Sequence, residues 1–236
     1  MKFYAFDIET IPAEDIPSRC LPKFDPSEVN IPANWGQEAR EKKIAQEEKR
    51  FLETLAKKRS TDPLLCRPVS FCGYSSMGDE WIELYAADLE AERELMTKAW
   101  EWLQHLVSTP GVMVTFNGKG FDLPVLWHRA IKLRVPAVTR EAYLQLIDTK
   151  RSNRHADLCL DLAPRGFTGQ PEVRGHGFDF WLDYYGVGNK PEGWNGSVVY
   201  QAFIDGWHED IAAYNRSDVE NLKELYLRVS GAVHWG

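Results

Sequence analysis

The stretch Lys2-Phe3-Tyr4-Ala5-Phe6-Asp7-Ile8-Glu9-Thr10 governs how the rest of the chain is interpreted. Its first half is apolar and aromatic, which predicts a strand buried on both faces, in the middle of a mixed or parallel sheet. Asp7 and Glu9 then interrupt the apolar run at its C-terminal end. Because strand side chains alternate, both carboxylates point to the same face. Two neighbouring buried acids repel each other unless a cation holds them, although on this stretch alone solvated acids just beyond the sheet are the simpler interpretation.

Length and composition are those of an ordinary globular protein. The chain has 236 residues, 44% of them hydrophobic and 27% charged, which suits one substantial α/β domain or two small ones. Neither a repeat nor a break in composition divides it, so we expect one domain over residues 1–236 with a charged helical insertion at about 25–63. No apolar run reaches the length of a membrane span and no basic-then-apolar leader precedes the first strand. These features predict a cytoplasmic protein without a membrane partner.

Cysteine spacing and net charge narrow the function further. The four cysteines show no C-x-x-C pair, so we expect reduced thiols and no zinc site. The formal net charge of −7 argues against binding of nucleic acid by bulk electrostatics. It does not exclude a nuclease, because the carboxylates of a metal site add negative charge that the bound ions offset locally.

Hydrophobic periodicity predicts the remaining elements. Further strands are expected at 68–76, 81–86 and 112–116, the first two forming a meander with the N-terminal strand. The predicted helices cover 37–58, 90–107, 121–133, 178–185, 198–207 and about 208–229. Ser197 is the expected N-cap of the helix at 198–207. The segments 164–177 and 186–196 are predicted to be loops.

Three further polar residues stand where the chain should turn or be buried. Tyr214 and Asp218 continue the apolar stripe of the last helix at i and i+4, so both should face inward, one turn apart. Asp122 falls in the first turn of its helix, where the helix N-terminus favours an ionised acid. Each has a simpler explanation, Asp122 as a helix-start acid and Asp218 as a buried hydrogen-bond acceptor. These acids lie on elements that can converge at one edge of the sheet. It would be a coincidence if the simpler explanation held for every one of them.

Three short motifs follow one another along the chain, namely Asp7-Ile8-Glu9, Asn117-x-x-x-Phe121-Asp122 and Tyr214-x-x-x-Asp218. In this order they resemble the three motifs of the DEDD superfamily of exonucleases. The spacing of the third motif resembles the tyrosine branch, since Ala213 stands where the histidine branch has a histidine. The stretch 186–218 further resembles the exonuclease domains of family B DNA polymerases and their stand-alone relatives. The resemblance spans residues 3 to about 229, and the long charged segment 25–63 departs from it.

The resemblance implies a ribonuclease H-like α/β fold, with a mixed sheet of about five strands flanked by helices. It implies a 3′–5′ exonuclease that removes nucleotides from single-stranded 3′ ends, with DNA the expected substrate, by two-metal-ion hydrolysis with Mg²⁺ or Mn²⁺. Asp7 would bridge two ions about 4 Å apart, with Glu9 and Asp218 completing one site and Asp122 reaching the other mainly through water. Tyr214 would orient the attacking water, because an unperturbed pKa of about 10 makes tyrosine a poor base at neutral pH.

The nucleic-acid contacts expected from the same resemblance are Thr10, Asn117, Lys119, Phe121 and Lys190. Asn117 and Lys119 stand on the turn beside the second motif, within reach of a terminal nucleotide. Phe121 also fits an ordinary core position, which is the simpler interpretation. Lys190 lies in a predicted loop, where most cations are merely solvated.

Two further groups of polar residues carry weaker signals. Arg165 and Arg174 lie in a predicted loop and are candidates for phosphate contacts or for plain solvation. His155 and Asp157 form a His-x-Asp pair that suggests another ligand set. Helix capping or a core hydrogen bond is the simpler explanation for both members of that pair.

Two alternatives to a DNA exonuclease stay open. One is an RNA-specific 3′ exonuclease or oligoribonuclease, since no residue of the sequence distinguishes DNA from RNA. The other is a catalytically idle subunit of the proofreading type, which binds nucleic-acid ends or a replication or repair partner without cutting. The intact set of four acids argues against the idle subunit, because four acids that converge without a cation would repel one another.

Overall fold

The protein is described here from a computed structural model, which describes residues 1–136, 138–147, 154–163, 176–188, 191 and 193–232. The described residues form five strands, which are β1 (Phe3–Pro12), β2 (Cys66–Ser75), β3 (Glu80–Tyr85), β4 (Val112–Thr115) and β5 (His155–Asp157). The long helices are α1 (Gln37–Thr61), α2 (Leu89–Ser108), α3 (Asp122–Leu133) and α8 (His208–Ala232). Shorter ones are α4 (Arg140–Ile147), α5 (Leu158–Asp161), α6 (Phe178–Tyr185) and α7 (Val199–Ile204).

The strands form one mixed sheet in the order β3-β2-β1-β4-β5. β1, β2 and β3 make an antiparallel meander, while β4 is parallel to β1 and β5 is parallel to β4. Helices cover both faces of the sheet, which suits the buried aromatic composition of β1. The predicted α/β class, the ribonuclease H-like fold and the five-stranded mixed sheet are confirmed.

The alternation of β1 separates the two main cores. Tyr4, Phe6 and Ile8 pack on one face against α2 and α3. Phe3 and Ala5 pack on the other face against α6 and α8. Because Asp7 and Glu9 follow in the same alternation, they are directed to the side of the sheet on which α8 lies. The period of two in this strand therefore delivers both acids to the helix that carries the third motif.

The expectation that β1 ends at its acids is wrong. The strand continues to Pro12, because β2 pairs with it along its whole second half. The register shifts between Glu9 and Thr10, which face Ser70 and Pro68, so that Val69 is the extra residue of a β-bulge. On its other side β1 pairs with β4 only over Phe3–Ala5. The acids therefore lie inside a long strand, at the point where its parallel neighbour stops.

Three local predictions need correction. β5 was not among the predicted strands, because a three-residue edge strand gives no periodic signal. α7 spans only Val199–Ile204, shorter than the predicted 198–207. Ser197 does not cap this helix: the N-cap position is Val198, and the Ser197 hydroxyl hydrogen-bonds to the Asn195 side chain in the preceding turn.

The charged helix α1 lies outside the three hydrophobic cores. None of the residues that make up these cores lies between 14 and 61 in the described part of the chain. The C-terminal end of α1 attaches to β1, since the Thr10 hydroxyl donates to the Ser60 carbonyl at 2.7 Å. Its middle packs against the preceding segment through Phe24 and Phe51, whose ring centroids are 5.7 Å apart. Leu52, next to Phe51 on this helix, is exposed.

The four cysteines are all free, as expected from their spacing. Within the described residues, the helices are too short or too polar to cross a lipid bilayer.

Candidate active site

A cavity of about 220 Å³ lies beside the second half of β1. It is bounded by the acids of β1, by the start of α3 and by the middle of α8, so all three motifs reach it. Three aromatic side chains, Phe116, Phe121 and Phe178, form apolar walls around the acids. The polar side chains in its lining include Asp7, Glu9, Asp122, Tyr214 and Asp218.

Three carboxylates converge in this cavity. One oxygen from each of Asp7, Glu9 and Asp218 lies within 4.8 Å of the other two. Glu9 and Asp218 are buried and Asp7 is half-buried, so their mutual repulsion is poorly screened by water. Carboxylate oxygens in such a set are the ligands that Mg²⁺ and Mn²⁺ take. The donor set therefore fits a hard divalent cation.

Asp122 lines the same cavity but approaches from the opposite side of β1. It lies in the first turn of α3, as predicted, and is almost completely buried. Burial is the largest influence and raises the pKa of Asp122 to about 7, and the charge of Asp157 acts in the same direction. Hydrogen bonds from its own backbone N–H and from that of Ile8 oppose this shift. Ile8 is available for that bond because β4 does not pair with β1 beyond Ala5.

Tyr214 lies one helical turn before Asp218 and, like it, is buried, as the stripe of α8 predicts. Burial is the main reason that the pKa of Tyr214 is raised above its ordinary value, and the charge of Asp218, a hydrogen bond to Asp218 and the charges of Glu9 and Asp7 add to it. The phenol therefore stays protonated at neutral pH and donates to the Asp218 carboxylate. The Trp194 ring stacks on Tyr214, with centroids 5.3 Å apart and planes 27° from parallel.

Asn215 of α8 connects Asp7 of β1 to Ser70 of β2 through two hydrogen bonds. Its Nδ2 donates to Asp7 Oδ2 at 2.9 Å, and its Oδ1 accepts from the Ser70 hydroxyl at 2.9 Å. Both Asn215 and Ser70 are buried. Ser70 is also the residue that faces Glu9 across the β1–β2 ladder.

A turn at 117–120 sets the start of α3. Asn117 adopts the left-handed conformation with φ of 63°, which asparagine tolerates better than most residues. The buried carboxylate of Asp157 accepts the backbone N–H groups of Asn117 and Lys119 at 2.8 and 2.9 Å. His155 bonds to the Leu146 carbonyl and the Thr115 hydroxyl. The His-x-Asp pair thus makes core hydrogen bonds and is not a second ligand set.

The residues expected to contact nucleic acid occupy different surroundings. Asn117 and Phe121 line the cavity, and Phe121 also packs against the core, as its simpler interpretation predicts. Thr10 is buried and donates to Ser60, whereas the Lys119 ammonium donates to the His155 carbonyl at 2.9 Å. Neither side chain belongs to the cavity lining. Lys190, Arg165 and Arg174 lie outside the described residues.

Sequence reasoning missed three residues around the acids, Ser70, Trp194 and Asn215. A signal existed for Asn215, because it directly follows Tyr214 on the apolar stripe and a buried amide needs partners. Ser70 gives no such signal, since its role depends on a contact with a residue 145 positions away. Trp194 lies in a predicted loop, and nothing in a loop sequence shows which side chain it covers.

Comparison with protein families identifies the group to which the chain is related. The model of a family described as "Predicted 3'-5' exonuclease related to the exonuclease domain of PolB" matches residues 62–233. The chain belongs to this family. The matched region carries Asp122, Tyr214 and Asp218, while Asp7 and Glu9 precede it. Membership confirms the predicted enzyme class, a 3′–5′ exonuclease, and the predicted relation to polymerase exonuclease domains.

Solved structures similar to this exonuclease are known. A family B DNA polymerase from the hyperthermophilic archaeon Pyrobaculum calidifontis shares 18% identity with a TM-score of 0.56, over 98% of this chain and 24% of the polymerase chain. A structure of exonuclease I in its apo form shares 14% identity with a TM-score of 0.40, over 98% of this chain and 42% of that one. The chain thus spans about a quarter and two fifths of these two proteins. At this identity the polymerase supports the fold alone. Comparison with curated proteins found no matching relative.

Proposed function

We propose that the protein removes nucleotides one at a time from the 3′ end of single-stranded DNA, in a reaction that depends on Mg²⁺ or Mn²⁺. The observation that carries this proposal is the convergence of oxygens from Asp7, Glu9 and Asp218 within 4.8 Å, in a cavity that Asp122 and Tyr214 also line. The aromatic walls of that cavity suit an unpaired terminal nucleotide, because every base has a face that stacks on an aromatic ring.

Two divalent ions held by the four acids would stabilise both the attacking and the leaving oxygen of a phosphodiester. Asp7, Glu9 and Asp218 are the proposed ligands of one ion, with Asp7 shared and Asp122 assigned to the other. A cation near Asp122 would favour its ionised form against the effect of burial. The family membership supports this proposal. The identity of the ions and their number belong to the proposal as well.

Tyr214 is proposed to position the reacting groups and not to remove a proton. Its raised pKa makes it a worse base than an exposed tyrosine and keeps its hydroxyl as a donor. Asn117 and Phe121 are the proposed contacts of the terminal nucleotide, since both line the cavity. Contacts through Thr10, Lys119 and Lys190 stay predictions from the sequence.

Three wider features complete the proposal. The chain is proposed to be one exonuclease domain over residues 1–236, with the segment at about 25–63 as an insertion; the family match begins at residue 62, just after that segment's helix. A replication or repair context is proposed from the relation to PolB. The cytoplasmic location stays a prediction.

The test is a cleavage assay with Mg²⁺, with Mn²⁺ and with a chelator, on 5′-labelled linear strands of DNA and of RNA and on an internally labelled circle of single-stranded DNA. We expect a linear DNA strand to be shortened one nucleotide at a time with metal only, and a circular strand or a 3′-phosphorylated strand to resist. Asp7→Ala and Asp218→Ala should abolish cutting. Preferential cutting of the RNA strand would favour the RNA exonuclease, whereas binding of ends without cutting would favour the idle subunit. Cutting of the circle at a comparable rate would contradict an exonuclease.

A further inference from the structure

The hydrogen bonds of Asn215 connect three elements at one point of the site. Ser70 belongs to β2, Asn215 to α8 and Asp7 to β1, and the two bonds run from the first to the last without a gap. Asn215 has no exposed surface and Ser70 is 2% exposed. Because burial of an amide is unfavourable unless it is hydrogen-bonded, this position on the apolar stripe of α8 would be filled more stably by a residue such as leucine if packing were its only role.

The direction of these bonds fixes the orientation of the amide. The Asp7 carboxylate offers only acceptor oxygens, so the NH₂ end of Asn215 must face it, and Oδ1 then faces β2, where it accepts from the Ser70 hydroxyl. The opposite orientation would place an amide oxygen against a carboxylate oxygen, and these two acceptors repel each other. The Asp7 carboxylate therefore fixes the orientation of Asn215, and the Ser70 hydroxyl, which can donate or accept, stabilises that orientation by donating to Oδ1.

A neutral donor suits this position better than a cation would. Asp7 lies in a set of three mutually close carboxylates, and a lysine or arginine beside it would neutralise part of the charge that a divalent ion needs. The amide restricts the rotation of the carboxylate and leaves its charge intact. Hydrogen bonds to metal-ligating groups act in this way in protein metal sites generally.

We propose that Asn215 is a positioning residue for Asp7, that Ser70 holds Asn215 in place, and that the pair thereby tunes the affinity of the acidic cluster for a divalent cation. This inference rests on the proposed metal-dependent function. It assigns a role to two residues that lie outside the acids and the tyrosine. The β-bulge at Val69 adjoins this pair of hydrogen bonds, because Ser70 is the first residue of β2 after the shift in register.

Two pairs of substitutions test the proposal. Asn215→Leu keeps the approximate size of the side chain and removes both hydrogen bonds, whereas Ser70→Ala removes only the bond that holds the amide to β2. Ser70→Thr restores a hydroxyl at the same place. Ser75→Ala is the matched control, because Ser75 is a buried serine of the same strand whose hydroxyl bonds to Met77 in the adjacent turn.

The first readout is Mn²⁺ affinity, measured by calorimetric titration of the full chain without nucleic acid. We expect Asn215→Leu to bind Mn²⁺ about 10–100-fold more weakly and Ser70→Ala to fall at the lower end of that range. Ser70→Thr and Ser75→Ala should bind as the wild type does. The second readout is the cleavage rate, in which kcat should fall for Asn215→Leu while KM for the strand changes little.

The outcomes separate this inference from the proposed function. A wild type that binds Mn²⁺ but cuts no strand would refute the function, and the affinities of the variants would still decide the role of Asn215. Equal Mn²⁺ affinity in wild type and Asn215→Leu, with both folded by circular dichroism, would overturn the inference. So would a loss in Ser70→Ala that Ser75→Ala reproduces or that Ser70→Thr fails to reverse. If Asn215→Leu does not fold, the three serine variants carry the test alone.

Discussion

At the scale of single residues, a substitution of Tyr214 measures the contribution of its hydroxyl separately from that of the acids. Tyr214→Phe keeps the ring that stacks on Trp194 and deletes only the donor to Asp218. The free energy of unfolding should change by about 1 kcal/mol or less, the scale of one net hydrogen bond. Turnover should fall by about 10²–10⁴-fold if the hydroxyl positions the reacting groups.

The measurement for Tyr214 is a single-turnover rate on a short single strand, paired with a Mn²⁺ titration. Asp218→Ala is the comparison, and it should lose both cutting and Mn²⁺ affinity, whereas Tyr214→Phe should keep the affinity. A Tyr214→Phe variant that cuts at the wild-type rate would reduce Tyr214 to a core residue and remove the support for the tyrosine branch.

His155 provides a prediction about pH that is independent of the metal site. Its Nδ1 must donate to the Leu146 carbonyl, and in the neutral ring Nε2 accepts from the Thr115 hydroxyl. Burial, helped by the charge of Lys119, lowers the pKa of His155 to about 3, against a hydrogen bond to Leu146 that favours the protonated form. Below about pH 6.5 the unfolded chain binds a proton that the folded chain does not, so the free energy of unfolding should decrease as the pH falls from about 6.5 towards 3.

His155→Asn removes this titration and keeps a donor for the Leu146 carbonyl. The pH dependence of unfolding should therefore be shallower than in the wild type by up to about 1.4 kcal/mol per pH unit between pH 6 and 4. Asp122 shifts in the opposite direction, gaining a proton on folding, but it is present in both proteins and cancels in the comparison. Urea unfolding at several pH values measures the slopes, and parallel slopes would contradict the prediction.

The residues that sequence alone could identify are those whose type conflicts with their pattern. Asp7, Glu9 and Asp218 interrupt apolar patterns, and Asp122 opens a helix, so each could be placed by strand or helix periodicity. Their convergence within one cavity follows from the fold, which only the resemblance to a known family implied. Ser70 and Trp194 conflict with no pattern, because their roles depend on contacts between distant parts of the chain.

At the scale of elements, the long periodic helices and the buried strands were predicted closely. α2 and α3 differ from their predicted limits by at most one residue at either end. The edge strand β5 and the bulge in β2 could not be predicted, since pairing with β4 and β1 defines them. The strand β1 extends past its acids for the same reason, because β2 continues to pair with it as far as Pro12.

The loop before α7 is expected to hold Tyr214 in position, which gives a prediction at the scale of an element. Trp194 packs with the core that contains Tyr214, and Gly196 of the same loop lines the cavity. Trp194→Ala should leave Tyr214 without its stacking partner and lower kcat by about 10–100-fold, since displacements near 1 Å at an active site have effects of that size. Trp194→Phe should retain most of the rate. The affinity for Mn²⁺ should be unchanged in both, which calorimetry checks; a weaker affinity would show that the loop supports the acids themselves.

At the scale of the whole molecule, the charged segment is the part that departs from the rest. Its side-chain hydrogen bonds from residues 26–50, within the described chain, all end on residues between 25 and 50. The sequence predicted the helix but not its placement, because a helix with charges of both signs around it gives no direction for packing. Among the described residues of α1, only those of its last turn hydrogen-bond to β1 and the residue after it, through Ser60 and Arg59.

These contacts predict that most of the segment can be removed without damage to the site. Phe24 and Phe51 lie against each other, so a short Gly-Ser linker can join residue 25 to residue 51 and leave the last turns of α1 in place. The three cores and the acidic cluster contain no residue of the deleted part, so the shortened chain should unfold cooperatively and bind Mn²⁺ as the full chain does. The cleavage rate on a short strand should change by less than about tenfold, which is about 1.4 kcal/mol in the barrier. Loss of cooperative unfolding or of Mn²⁺ affinity would show that the segment belongs to the domain and is not an insertion.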